Sequence, residues 1–180
     1  MKPQIIEKCE STMDEITGKD SEGWHRIFAK TQTSGRGRRS SEWKSTGGGV
    51  YATWILDKEV LEKYPPGLIQ TCVGSIVSEK LGAYIKWPND IITSDGRKMG
   101  GILVESIDRE EIRLGVGANR IGFMEDGIEA SGWEETIGQI ESIDVFEMID
   151  RSLSSVFEDI DSLDLPSEDV LISKSWESLS

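Results

Sequence analysis

Histidine occurs once in this chain, at His25, and cysteine twice, at Cys9 and Cys72. The two thiols stand far apart and lack the close spacing of metal ligands, so neither a zinc site nor a Cys-His nucleophilic pair is expected. Long apolar runs are missing too. No stretch approaches the roughly 20 residues that a membrane-crossing helix needs. The opening Met1-Lys2-Pro3-Gln4 has none of the apolar character of a signal peptide. A cytoplasmic chain without a membrane partner is the expectation.

Basic residues are scarce in the last third. Residues 121–180 hold 16 acidic side chains against Arg151 and Lys174, a net −14 that exceeds the chain's −13 and leaves residues 1–120 at +1. Within those, Arg26, Lys30, Arg36, Arg38, Arg39 and Lys44 stand between positions 26 and 49 against Glu42 alone. Concentrated positive charge in an otherwise acidic protein suits a focused anion site, whereas a long nucleic acid would be repelled by the rest. At 180 residues the chain is long enough for one domain with a proper core, and residues 1–180 are read as a single domain. Helical and strand patterns both occur, which points to an α/β or α+β protein.

The stretch from Lys86 to Glu105 organises the remainder. It reads Lys86-Trp87-Pro88-Asn89-Asp90, then a turn at Asp95-Gly96, then Lys98-Met99-Gly100-Gly101 and an apolar run. Strand-like residues 83–87 and 101–106 on either side predict one hairpin. Pro88 cannot donate to a ladder, so pairing should stop there and leave Asn89 and Asp90 at a strand end. Gly100 and Gly101 place no side chain between their backbone and anything bound beside Lys98. An exposed hairpin with a charged tip is the plain reading, and a ligand-bearing edge is the other.

Other stretches carry similar pairs of readings. Thr12 with Glu15 fits a capping box, and a helix beginning there would also offer hydroxyls and free N–H groups to an oxygen-bearing ligand. Residues 24–30 read as a strand leading through Gln32 into Gly35-Arg36-Gly37-Arg38-Arg39, a segment with no apolar face, expected to be mobile until bound. It is either a solvated basic loop or an anion flap, and Trp43 beside it suits packing over a flat ring. Ser45-Thr46-Gly47-Gly48-Gly49 precedes a buried-looking strand over 50–56, without the Gly-Lys-Ser/Thr of a phosphate loop. A core helix is expected over 66–81, and a strand over 112–119 ends at Asn119, a turn residue or a ligand's polar edge. Residues 121–140 read as a long acidic loop with Trp133 isolated in it, of the kind that forms lids. An amphipathic helix follows Asp144 as far as Leu163, with a shorter one over 167–176.

Taken together, five segments resemble the catalytic domain of biotin protein ligases: Ser11-Thr12 before a helix, Gln32 leading to the Gly-Arg-Gly-Arg-Arg run, Trp43 before the glycines, Lys86-Trp87-Pro88-Asn89-Asp90 to Lys98-Met99-Gly100-Gly101, and the glycine-spaced strand ending at Asn119. The resemblance implies an α+β fold, a mixed and largely antiparallel sheet backed by helices, related to class II aminoacyl-tRNA synthetases and lipoate ligases. It implies that biotin and ATP give biotinyl-5′-adenylate, that the biotinyl group passes to one lysine of a biotin carboxyl carrier protein or domain, and that Mg²⁺ accompanies the phosphates. Biotin contacts would come from Ser11, Thr12, Met13, Gln32, Gly35, Arg36, Gly37, Arg38, Arg39, Lys98 and Gly101. Arg36, Arg38, Trp43, Lys86, Asn89, Asp90, Lys98, Asn119 and Trp133 would lie on the nucleotide side, with Lys98, Arg38 and Asp90 carrying the chemistry. The pattern shows neither the N-terminal DNA-binding element nor the C-terminal β-barrel found in some members, so DNA is not an expected partner; homodimerisation stays open. Lipoate or octanoate transfer is the nearest rival, since Gly47-Gly48-Gly49-Val50-Tyr51 echoes lipoate ligases, yet Ala52-Thr53 follow where that family usually has His-Asp. A non-catalytic biotin-binding module and a nucleic-acid binder are the readings from other classes.

Overall fold

Alternating apolar side chains along residues 50–56 and 112–118 build the centre of the molecule. The computed structural model describes residues 2–16, 25–107, 111–125 and 127–157. Val50, Ala52, Trp54 and Leu56 of β5 (Val50–Asp57) lie in antiparallel register with Ala118, Val116, Leu114 and Ile112 of β9 (Glu111–Ala118). Successive side chains on a strand point to opposite faces, so these eight share one face, and all belong to the buried core. Helices α3 (Pro66–Lys80) and α4 (Ser142–Phe157) cover that face, through Ile69, Val73 and Val77 of the first and Val145, Phe146, Ile149 and Leu153 of the second. Phe146 stacks on Phe28 at 5.1 Å and on Trp54 at 5.8 Å between ring centroids.

The remaining strands are β1 (Gln4–Cys9), β2 (Arg26–Gln32), β3 (Gly35–Arg36), β4 (Glu42–Trp43), β6 (Tyr84–Lys86), β7 (Asp90–Ile92), β8 (Lys98–Ile107), β10 (Phe123–Glu125) and β11 (Ile128–Ala130), with short helices α1 (Thr12–Glu15) and α2 (Lys58–Lys63). Nine strands among the described residues form one sheet, ordered β1-β2-β5-β9-β8-β11-β10, with β7 also on β8 and β6 on β7. Only the β1–β2 and β11–β8 pairs in it are parallel. This is the α+β, largely antiparallel architecture expected from the sequence. β3 and β4 form a separate two-stranded ribbon.

Several local expectations change. Residues 83–106 form two successive hairpins rather than one: β6 pairs with β7 around Trp87-Pro88-Asn89, and β7 pairs with β8 around Asp95-Gly96. Ile91 drives the extra strand by burying completely in the core, and Pro88 sits in a turn where its missing N–H costs nothing. Asp90 therefore opens a strand. The capping residue of α1 is Ser11, whose Oγ accepts from the Met13 amide, and Thr12 is left free for other bonds. Residues 121–140 are more ordered than a long loop. Those described contain β10, β11 and a turn in which Trp133 is fully buried, and Glu129, Glu134 and Glu135 are held by two arginines. Arg97 pairs with Asp95, Glu129 and Glu135, and Arg120 with Glu134 and Glu141. The strand start at Trp24, the end of the last amphipathic helix and the helix expected over 167–176 fall outside the described residues.

Asp150 anchors α4 to the sheet, accepting from Arg26 Nε at 2.8 Å and from Trp54 Nε1 at 2.9 Å while 8% exposed. Removing the carboxylate would leave both donors poorly compensated in a nearly dry setting. Asp150→Ala is expected to lower the unfolding free energy by about 3 kcal/mol in urea titration; a change within error would mean that the helix is held by apolar packing alone.

Candidate active site

The face of the sheet turned away from α3 and α4 carries the other half of the alternation. Gly115 and Gly117 of β9 lie on it, and nothing larger would fit: a Cβ on Gly117 would stand 2.6 Å from Cε2 of Trp43, and one on Gly115 would stand 2.8 Å from Sδ of Met13. Bare backbone thus lets α1 and the β3–β4 ribbon settle close to the strands. Between them lies a cavity of about 440 Å³.

One end of the cavity is polar and uncharged. Thr53 donates to Thr12 Oγ1 at 2.9 Å, and Thr12 donates onward to Gln32 Oε1 through its hydroxyl at 3.0 Å and its amide at 2.8 Å. Ser11 completes this end. Gln32 closes β2 where α1 crosses it, so the chain of hydroxyls follows from strand register and from the cap at Ser11. The middle is lined by the Leu103 side chain beside the glycine backbone, and Ala52, Ile102 and Val116, whose side chains turn into the core, border it along the strands. The far end is charged. Lys98 Nζ lies 2.8 Å from Asp90 Oδ1 and 5.4 Å from the centre of the Trp43 ring, and Asn89 donates to Asp90 Oδ1 at 3.2 Å. Arg38 reaches across from the arginine segment to donate to Asn89 Oδ1 at 3.0 Å.

That segment is a folded flap. Gly35 pairs with Trp43 and Arg36 with Glu42, and residues 38–40 make a tight turn, left-handed at Arg39 and closed by Ser41. Glu105 foremost and Asp14 next, as hydrogen-bond acceptors, raise the Arg36 guanidinium above its ordinary value, so it is a permanent cation. The Cys9 thiol nearby is pushed up to about 11, chiefly by burial and further by Glu15 and Asp14, which excludes a thiolate nucleophile at neutral pH.

Of the residues singled out from sequence, Ser11, Thr12, Met13, Gln32, Arg36, Gly37, Arg38, Arg39, Trp43, Asn89, Asp90, Lys98 and Gly101 all line this one cavity. Four do not. Gly35 is buried beneath Trp43, which it pairs with. Lys86 points outward from β6 into solvent. Trp133 lies in the core with its indole donating to the Ile140 carbonyl at 3.2 Å, because burying its ring there outweighs exposing it at a surface. Asn119 is buried at the end of β9, its amide donating to the Ser131 carbonyl at 3.1 Å. Sequence reasoning missed the apolar middle. Its signal was the Gly115-Val116-Gly117 alternation, which puts bare backbone on one face and a core valine on the other.

Residues 9–119, which include every residue around the cavity, match the model of the biotin/lipoate A/B protein ligase family. The chain belongs to that family. Among biotin/lipoate ligase relatives, the bifunctional ligase/repressor BirA of Bacillus subtilis is 32% identical over 125 residues, which are 64% of this chain and 38% of that protein. A biotin-[acetyl-CoA-carboxylase] ligase of Paracoccus denitrificans is 28% identical over 117 residues, 59% of this chain and 48% of the relative. This chain thus matches less than half the length of either relative. The crystal structure of Leishmania major biotin protein ligase in complex with biotinyl-5-AMP superposes with a TM-score of 0.76 at 22% identity, covering 98% of this chain and 80% of that one. The two share a fold.

Gly117→Ala is expected to cost about 1–3 kcal/mol in chemical denaturation by forcing Trp43 off the cavity floor. A variant of parental stability with the indole still in place would contradict the packing described.

Proposed function

We propose that this chain is a biotin protein ligase catalytic domain, one unit over residues 1–180, working in the cytoplasm. It joins biotin to ATP as biotinyl-5′-adenylate and passes the biotinyl group to a lysine of a biotin carboxyl carrier protein or domain; DNA has no part in this. The observation that carries the reading is that Arg38 and Lys98, from a flap and from the sheet, border one cavity whose opposite end is neutral and polar. The names borne by the relatives agree with it.

A ureido head offers two N–H donors and a carbonyl acceptor, which suits Ser11, Thr12 and Gln32, and an aliphatic chain suits the floor where Leu103 stands beside the bare backbone of Gly115 and Gly117. The carboxylate then arrives beside Lys98. In the first step a carboxylate oxygen attacks the α-phosphorus, a P–O bond forms, and the bond to pyrophosphate breaks. Two unit charges about 4 Å apart repel by about 4 kcal/mol at an effective dielectric near 20. Lys98 as a compact ammonium and Arg38 as a planar fork offset that repulsion. Mg²⁺ arriving with the triphosphate would supply charge neutralisation there.

In the second step the carrier amine attacks the acyl carbon, a C–N bond forms, and the mixed-anhydride C–O bond breaks to release AMP. A lysine amine with a pKa near 10.4 is mostly protonated at neutral pH. Asp90 orients it and accepts the proton. The adenylate is reactive, and the arginine flap keeps water from it between steps.

Incubation with labelled biotin, ATP and Mg²⁺ should yield the adenylate and label a carrier domain, and calorimetry should give binding to biotin but not to lipoate. Failure of both would remove the assignment. Lys98→Ala should lower biotin-dependent pyrophosphate exchange at least 100-fold with the fold intact; normal exchange would take Lys98 out of the mechanism. Arg38→Gly should still form the adenylate but release it faster, and an unchanged dissociation rate would deny the flap its retaining role.

A further inference from the structure

Arg36 lies in β3, where the flap begins, and its guanidinium is committed to protein carboxylates. Nε faces both oxygens of Glu105 at 3.3 Å, Nη2 donates to Glu105 Oε2 at 2.9 Å, and Nη1 donates to Asp14. Asp14 belongs to α1, the helix that carries Thr12, and Glu105 to β8, the strand that begins with Lys98. Neither carboxylate lines the main cavity. Glu105 instead borders a second hollow of about 380 Å³ beside the flap, with Arg38, Arg39, Leu103 and Val104.

Two neighbours fit this arrangement. Arg113 stands opposite Glu105 in the β8–β9 register, yet its guanidinium binds Glu111 at 2.5 Å and the Met13 carbonyl, which leaves Glu105 to Arg36. Arg39, three residues along the flap, is the one non-glycine among the described residues with positive φ, at 54°. A left-handed residue of that kind persists only where its surroundings hold it. Part of the support is local, since Gly37 N donates to Ser41 O at 2.7 Å and Ser41 Oγ to Arg38 O at 2.9 Å. The β3–β4 pairing and the Arg38–Asn89 bond add to it, and the Arg36 clamp anchors the start of the flap.

We infer that Glu105, seconded by Asp14, is a positioning residue that fastens the flap through Arg36 and so sets how long the bound adenylate is retained. Arg36 is a tether in this scheme, which leaves Arg38, Arg39 and Lys98 as the cations available to the ligand. Glu105 is the stronger partner because its side chain is 29% exposed, as Arg36 is at 30%, while Asp14 is 60% exposed and better screened by water. The retention of adenylate rests on the ligase reading; the clamping of the flap does not.

The test uses the full chain with Glu105→Gln, Glu105→Asp and Asp14→Asn. Trypsin can cut after Arg36, Arg38 and Arg39, so mass spectrometry of brief digests reads flap opening without any ligand. Glu105→Gln should speed these cleavages and adenylate dissociation each by about 5- to 20-fold, and Asp14→Asn by about 2- to 3-fold. Glu105→Asp should fall between parent and Glu105→Gln. Added salt should speed flap cleavage in the parent and leave Glu105→Gln nearly unaffected, a response that a merely structural defect would not give. Unchanged cleavage in both Glu105→Gln and Asp14→Asn, with parental thermal unfolding, would overturn the clamp. If the parent itself forms no adenylate, the ligase reading falls, and the trypsin arm alone decides the clamp.

Discussion

The molecule depends on a division of labour between the two faces of three adjacent strands. On β5, β9 and β8 one set of alternate residues is largely apolar and buried under α3 and α4, and on the other face Thr53, Gly101, Gly115 and Gly117 are small, so that side chains from outside the sheet can lie on backbone there. Gly115 and Gly117 are the limiting points: Met13 and Trp43 occupy the space that any Cβ there would need. Because the core face fixes the register, it also fixes where the bare patches fall. The cavity is thus a by-product of core packing on the far side of the same strands.

The charged groups divide in a similar way. Arg97 and Arg120 bind acidic residues of the 121–141 segment, Arg26 holds Asp150, and Arg36 holds Glu105 and Asp14. Of the three arginines that line the cavity, Arg36 alone is tied to carboxylates among the described residues, and the chain's acidity is partly the complement of its own guanidinium groups. The cations that border the cavity with no carboxylate partner described are Arg38 and Arg39, both on the flap, while Lys98 shares the cavity with Asp90. Local positive charge in the sequence marked the right segment without telling its anchors from its working groups, because that distinction lies in contacts between residues 69 positions apart.

Much of this could be read from the sequence where the signal was periodic. The strands over 50–56 and 112–118 and the helix over 66–80 follow from alternation and from helical spacing, and the order of the motifs pointed to the family. Context decided the remainder. Trp133 looked like an isolated aromatic in an acidic loop because its burial comes from the shared core and its indole partner is the Ile140 carbonyl, which no local pattern announces. The two hairpins between Tyr84 and Ile107 merged into one because a three-residue strand such as Asp90–Ile92 is too short to register as a period. Asn119 was drawn toward the ligand by its place in the motif, whereas its side chain ties β9 to Ser131.

The adjacency of Arg97 and Lys98 at the entry to β8 has one more consequence. Consecutive residues face opposite ways, so the guanidinium held outside by Asp95 and Glu135 and the ammonium beside Asp90 inside are set by a single choice of pairing. A slip of one residue would carry the arginine's wide planar head into the pocket and turn the lysine to solvent. The acidic cluster on the outer surface thereby works as an alignment pin for an atom it never touches.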